Sequence, residues 1–301
     1  MTIHSGPADA GGRKTHRGPV LLLGAGNPIA RYLMPRLLAA GHDTVAVARR
    51  AVPVPPGIRL ETVELARDAS WAAPPGAAVV SVLPLAVLAD VLPRLTSARC
   101  IVAVGSTSLF SKAGSDDPEE RATARKLERA EAAVMAWRAQ GGMPATILRP
   151  TLVYDGTDDR NVARMIRVVR RYRVLPIARP SHGLRQPIHA DDVAKAILGA
   201  IDNPAAAGKT FNIAGGEVLT YRAMAERVFR SQGLQPRFIM LPVGWLRRAF
   251  GLAARAGIVR ETGFGSAVFA RMNQDLVFDN AEGLRVLGYG PRGFELPEAS
   301  Q

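Results

Sequence analysis

Two glycines and two arginines carry the most visible chemistry of this 301-residue chain. The stretch Leu22-Leu23-Gly24-Ala25-Gly26-Asn27-Pro28-Ile29-Ala30 joins a short apolar run to a helical pattern of Ile29, Tyr32, Leu33, Leu37 and Leu38. A strand that turns tightly into a helix makes an anion site, because the first N–H groups of the helix lack partners and its dipole presents a positive end. Gly24 and Gly26 let the backbone approach a pyrophosphate, and the small Ala30 lets helix and strand pack closely. Asn27, Pro28 and Ile29 complete the turn, with Asn27 expected to tolerate a positive φ. The spacing predicts dinucleotide binding and says nothing of the reaction.

The arginines are Arg49 and Arg50, which follow a second apolar run, Thr44–Ala48. An acid at that place commonly holds the ribose 2′-hydroxyl of NAD. No acid stands here, and a guanidinium can bind a 2′-phosphate bidentately. The pair therefore predicts NADP(H) ahead of NAD(H), against the plainer account of loop cations in an arginine-rich chain.

The elements that must position these groups alternate. Strand signals at 20–23, 44–48, 59–63, 77–83, 100–104 and 145–148 are separated by helical ones at 28–40, 86–95 and 119–140. Such alternation implies an α/β fold, a doubly wound parallel sheet of the Rossmann kind. The second half is less regular. It carries a basic helix at 161–172, a Pro/Gly-rich stretch at 176–187, helices at 190–201 and 221–232, and a strand at 211–214. Asp191 and Asp192 suit the first turn of one helix, and Thr220 suits the N-cap of another. The expected division is a polar tail at 1–18 and a dinucleotide-binding domain at 19–150, to which 185–216 return. Residues 151–184 and 217–296 then form a small C-terminal substrate-binding domain.

Composition narrows the class. Hydrophobic residues make up 48% of the chain, yet no apolar run approaches the length of a bilayer span. The single cysteine, Cys100, permits no internal disulfide, and the tail lacks the apolar segment of a secretory signal. A cytoplasmic protein is expected. The net charge of +13 comes without an aromatic-interleaved basic patch, so a phosphate-bearing small molecule is the expected partner and nucleic acid is not. Residues 242–260 mix Trp245, Leu246 and Phe250 with Arg247, Arg248 and Arg255, a pattern that either covers a cleft or touches an anionic membrane peripherally. A homodimer is compatible with all of this. Asp155, Asp158 and Asp159 read as a solvated loop, and no metal site is expected.

Later landmarks resemble the extended and atypical members of the short-chain dehydrogenase/reductase superfamily, of the NAD-dependent epimerase/dehydratase type. They fall in order after the glycine turn: Ser106-Thr107-Ser108, Lys126 with Ala130-Glu131, Leu148-Arg149-Pro150, Gln186 to Ala194, Phe211 to Gly216, and Tyr289-Gly290-Pro291. The resemblance covers about 19–295. It implies that Ser108 faces the substrate and that Lys126 has a catalytic role and holds the nicotinamide ribose. It also places Leu65, next to Glu64, near the adenine. By position, Leu83 and Pro84 end the fourth strand and should line the cofactor cleft.

One departure is large. The superfamily's Tyr-x-x-x-Lys reads Ala122-Thr-Ala-Arg-Lys126, without the tyrosine. A positioned acid or base is worth roughly 10²–10⁴ in rate. The expected function is an NAD(P)-binding oxidoreductase or epimerase-like protein acting on an anionic metabolite such as a nucleotide-sugar. The alternative is a non-catalytic NADP-binding redox sensor, or an assembly or regulatory protein. Ser108, Thr107, Tyr154 and His189 are the candidates to replace the phenol, and Tyr154 and His189 read more simply as packing and capping residues.

Overall fold

Val20, Leu21, Leu22 and Leu23 are at most 1% exposed. An apolar run buried on both faces belongs in the middle of a parallel sheet. The computed structural model describes residues 17–141, 143–242, 244–245, 252 and 266–297. In it, β1 (Arg17–Leu23) is flanked by β2 (His42–Ala48) and β4 (Ala78–Ser81). The sheet has seven strands, all parallel, in the order β11-β6-β5-β4-β1-β2-β3. The others are β3 (Ile58–Thr62), β5 (Cys100–Val104), β6 (Ala145–Pro150) and β11 (Thr210–Ile213). The doubly wound parallel sheet is as expected.

Helices cover both faces. On one, α1 (Pro28–Ala39) and α6 (Ala190–Ala200) pack Leu33, Leu37, Val193 and Ile197 over the sheet. On the other, α2 (Leu85–Val91) and α4 (Pro118–Gly141) contribute Leu88, Ala130 and Val134. A short α3 (Ser108–Ala113), unmarked in the sequence, stands between β5 and α4. The helical signal at 86–95 resolves into α2 and a 3-10 turn at Leu92–Arg94.

A third apolar cluster lies apart from the sheet. It joins α5 (Val162–Tyr172), β8 (Leu175–Ala178) and α7 (Tyr221–Ser231) through Ile166, Val169, Ile177, Val228 and Phe229. Three two-stranded pairings frame it: β7 (Val153–Tyr154) with β10 (Ile188–His189), β9 (Leu184–Arg185) with β12 (Leu219–Thr220), and β8 with β13 (Phe238–Leu241). Two short helices follow, α8 (Ser266–Arg271) and α9 (Ala281–Leu287). Thr220 caps α7 as expected, its hydroxyl accepting from the Ala223 N–H at 3.0 Å. No helix among the described residues is long and apolar enough to cross a membrane. The tail at 1–16 and most of the 242–260 segment lie outside the described residues.

Asp191 and Asp192 do more than meet the dipole of α6. Arg36 of α1 donates to Asp191 at 2.7 and 2.9 Å. Arg292 donates to both carboxylates, and Lys195 reaches Asp192 at 2.7 Å. Burial pushes both carboxyls up, yet the cations outweigh it and hold them below the usual range. The C-terminal segment is thereby tied to α6 and α1. The acidic loop at 155–159 is solvated only in part, with Asp158 exposed. Asp155 and Asp159 are buried, and their carboxylates accept backbone N–H groups of the loop and of α5. Among the described residues no cluster could hold a metal ion.

Candidate functional site

The strand order turns back at β1 and β4, and in such sheets ligands bind beyond the C-terminal strand ends. A cleft of about 1350 Å³ lies there. Its lining brings together Gly24, Gly26, Asn27, Pro28, Ile29, Arg49, Arg50, Glu64, Leu65, Leu83, Pro84 and Ser108, which the sequence had marked at five separate places.

The glycine turn is as tight as its spacing requires. Gly24 has φ +96°, and a Cβ there would lie 3.1 Å from the Leu83 side chain and 3.2 Å from its backbone nitrogen. The N–H groups of Gly24 and Ala25 both donate to the Val47 carbonyl at 3.0 Å, fastening the turn to the end of β2. Ala30 is fully buried against the sheet. Asn27 departs from expectation. Its φ is −79° and its ψ 142°, the extended conformation of an N-cap. Its Oδ1 accepts from the Ile29 N–H at 2.9 Å, and its Nδ2 donates to the Val82 carbonyl at 3.0 Å. Gly24 takes the left-handed turn, so Asn27 is free to cap.

Lys126 is not in the cleft. It is exposed on α4, and with Ala122, Arg125 and Arg129 it borders a shallow groove beside Ala86, Ala89 and Asp90 of α2. The α4 residue that lines the cleft is Leu127. One residue is about 100° of helix rotation, since 3.6 residues make a turn. The buried Glu131 sets that rotation. Its carboxylate accepts from Arg149 Nε at 3.0 and 2.9 Å, so α4 is keyed to β6. Counting back from Leu127 by one turn reaches Thr123, whose hydroxyl donates to its own helix at the Glu119 carbonyl. The motif register read from Lys126 is therefore displaced by one residue from the face α4 presents.

The loop after β5 is ordered by the neighbouring strand. Thr107 donates to the Pro150 carbonyl through both its N–H and its hydroxyl, each at 3.1 Å. Ser106 Oγ accepts from the Ser108 N–H at 3.1 Å, and Ser111 and Lys112 of α3 also line the cleft.

Several cleft residues escaped sequence reading. Arg185 of β9 is 4% exposed and forms no ion pair among the described residues. Its guanidinium donates to the carbonyls of Leu184, Gln274 and Arg271 at 2.6–2.8 Å and lies over the Tyr221 ring. Burial lowers its pKa to about 10. Tyr221 is the only tyrosine lining the cleft among the described residues, and burial raises its pKa. Arg271, also at the cleft, is paired with Glu120 at the start of α4. The only signal for Arg185 was its place in the Gln186–Ala194 landmark, one residue outside it.

The two remaining candidates lie elsewhere. His189 is the N-cap of α6, its Nδ1 accepting from the Asp191 N–H at 3.1 Å, and burial, aided by Arg292, lowers its pKa. Tyr154 is buried, donates to the Gly293 carbonyl at 3.2 Å, and is pushed up to about 12 by burial. Both read as packing and capping residues.

The fold and the cleft define a Rossmann-type α/β protein. Residues 87–214 match the model of the NAD dependent epimerase/dehydratase family. A crystal structure of a UDP-glucuronic acid 4-epimerase from Bacillus cereus, in complex with UDP-glucuronic acid and NAD, superposes with a TM-score of 0.68 over 91% of this chain and 94% of that one. The identity is 13%, which establishes the fold alone. Among curated proteins, the chain is similar to the mitochondrial NADH dehydrogenase [ubiquinone] 1 alpha subcomplex subunit 9 of Arabidopsis thaliana, 34% identical over 99 residues. It is also similar to the Dictyostelium discoideum protein of that name, 30% identical over 76 residues. These matches cover 33% and 25% of this chain, and 24% and 21% of the relatives, so the chain aligns with about a quarter of their length.

Proposed function

We propose that this protein binds a nicotinamide dinucleotide across the strand ends and acts, as an epimerase- or oxidoreductase-type protein, on an anionic metabolite of the nucleotide-sugar class. One observation carries the reading. A single cleft joins the glycine turn and Arg49–Arg50 to Arg185, a buried cation without a carboxylate partner among the described residues. A buried charge is costly unless it is paired. A phosphate group of the ligand supplies that partner.

The cleft fits a dinucleotide in extent and charge. Gly24, Gly26, Asn27, Pro28 and Ile29 border the pyrophosphate, and Leu83 and Pro84 the next stretch of the cofactor. Glu64 and Leu65 lie toward the adenine, with Arg49 and Arg50 on a 2′-phosphate. NADP(H) is favoured over NAD(H) because two arginines, and no acid, follow β2 directly in the chain. A bound nicotinamide supplies hydride exchange. For the chain's part, Ser108 orients a substrate oxygen, and Lys112 and Arg185 hold negative charge. A cytoplasmic setting, a homodimer and a peripheral membrane contact through 242–260 complete the proposal, resting on the sequence alone.

A second reading, dinucleotide binding without turnover, is supported by Leu127. The face that α4 turns to the cleft carries an aliphatic side chain and no titratable group. Calorimetric titration with NADPH and NADH, followed by absorbance assays with carbonyl compounds and UDP-sugars, separates the readings. Turnover that is lost in Ser108→Ala supports the enzyme. Tight binding without turnover supports the second reading, and absence of binding removes both.

A further inference from the structure

The anion site in front of α1 is short of donors. Pro28 opens the helix and has no N–H. The N–H groups of Gly24 and Ala25 are held by the Val47 carbonyl, and that of Asn27 by the Gly24 carbonyl at 2.9 Å. The Ala30 N–H donates to the Asn27 carbonyl at 2.9 Å, and the Ile29 N–H to Asn27 Oδ1 at 2.9 Å. Within 24–30 only the Gly26 N–H is without a partner among the described residues. Phosphate sites at helix N-termini work through free N–H groups together with the dipole.

We infer that the Asn27 side chain occupies the dinucleotide's pyrophosphate cradle and so limits the affinity of any dinucleotide that enters it. The inference rests on the cofactor reading above. Asn27 Oδ1 sits on the Ile29 N–H, where a phosphate oxygen would be received, and Nδ2 locks the same side chain to the Val82 carbonyl at 3.0 Å. A phosphate that takes the Ile29 N–H must turn Asn27 away and so break both bonds. The second bond ends at the tip of β4, next to Leu83 and Pro84, so cofactor entry and the β4 edge are coupled through one amide. The pyrophosphate is common to NADPH and NADH, so displacing Asn27 weakens both alike, and the choice between them stays with Arg49 and Arg50.

The test is calorimetric titration of NADPH and NADH into the full-length protein and its Asn27 variants, with the Ile29 amide followed by nuclear magnetic resonance. Asn27→Gly frees the donor at a small cost in capping, since glycine is itself an acceptable N-cap. It is expected to tighten both cofactors about tenfold, the scale of one charge-assisted hydrogen bond. Asn27→Ala gives the same sign, should the glycine loosen the turn. Asn27→Asp keeps the cap, adds negative charge, and weakens both cofactors about tenfold or more. In the wild type the Ile29 amide shifts on NADPH binding as it exchanges partners. Equal affinities in wild type, Asn27→Gly and Asn27→Ala overturn the inference and leave the cofactor reading standing. A gain confined to NADPH also overturns it, because the pyrophosphate is shared. Failure of every form to bind either cofactor overturns the inference and the cofactor reading together.

Discussion

Arg149 Nε donates to both carboxylate oxygens of Glu131, at 3.0 and 2.9 Å, and this pair fixes which side of α4 meets the cleft. The two residues come from different elements, Glu131 from α4 and Arg149 from the end of β6. Glu131 is 6% exposed, and Gly105 at the start of the serine loop passes so close that a Cβ there would lie 3.0 Å from its Oε1. Removing one partner of a buried pair leaves a charge without compensation. Glu131→Ala is expected to lower stability by roughly 3 kcal/mol. Urea unfolding measures this, and the added space beside Gly105 should loosen the Ser106–Ser108 loop at the same time.

The same rotation decides where a phenol could be restored. Ala122 and Lys126 share the exposed groove beside α2, so Ala122→Tyr adds a ring outside the cleft. Thr123 and Leu127 stand one turn apart on the neighbouring face. Thr123→Tyr combined with Leu127→Lys is expected to create or raise NADPH-dependent turnover by roughly 10²-fold, the low end of general acid–base catalysis. Ala122→Tyr is expected to change nothing. An absorbance assay over a carbonyl panel reports both, and activity appearing with Ala122→Tyr alone would show the rotation to be wrong.

How far the sequence was legible follows from the range of each signal. The Gly24 turn, the alternation of strands with helices, and the Thr220 cap are local patterns, and each is found in place. Leu65, Leu83, Pro84 and Ser108 also reach the cleft, because strand ends of a parallel sheet are placed by topology. Lys126 failed because a motif matched by residue type does not fix helix rotation to within one position. That rotation is set by the contact of Glu131 with Arg149, 18 residues further along the chain. Asn27 failed differently. Its tolerance of positive φ was a permission, whereas the actual demand for positive φ fell on Gly24. Arg185, Lys112 and Tyr221 carried no local pattern at all and become cleft residues only when the small β9–β12 pairing and α3 are assembled.

Arg49 and Arg50 bear on cofactor choice. Both line the cleft immediately after β2, and neither has an ion-pair partner among the described residues. Replacing both with glutamate substitutes repulsion for attraction at a 2′-phosphate while leaving a hydrogen-bond acceptor for a 2′-hydroxyl. The double variant is expected to lose roughly tenfold or more in NADPH affinity and to lose little for NADH. Competitive titration of the two cofactors checks the ratio.

Arg185 bears on the other end of the cleft. Its three carbonyl acceptors hold the guanidinium in place without neutralising it. Arg185→Met keeps much of the apolar stem and removes the charge. UDP-sugar affinity is expected to fall roughly tenfold to a hundredfold, the worth of a charged hydrogen bond. NADPH affinity should be unchanged, since Arg49, Arg50 and the glycine turn lie at the opposite end. Equal loss for both ligands would mean that the subdomain had come apart, which near-ultraviolet circular dichroism detects.

The Asp191–Asp192 cluster sets the acid limit of stability. Burial alone would raise these carboxyls, but Arg36 and Arg292 on Asp191, and Arg292 and Lys195 on Asp192, bring them below the ordinary range. A folded-state value below the unfolded one stabilises the protein above the unfolded pKa, about 3.9, and that contribution is lost as pH falls through the folded value. His189 acts in the same direction. Burial first, and then Arg292, lower its pKa, so charging it below its ordinary value of about 6.5 opposes folding. Arg292→Met removes the cation common to all three groups. It is expected to cost roughly 3 kcal/mol at pH 7. The gap between wild type and variant should narrow as His189 charges below about pH 6.5, and close further below about pH 4 as the carboxylates protonate. Urea unfolding at pH 7, 5 and 3 measures the gap, and a difference independent of pH would locate the role of Arg292 in packing alone.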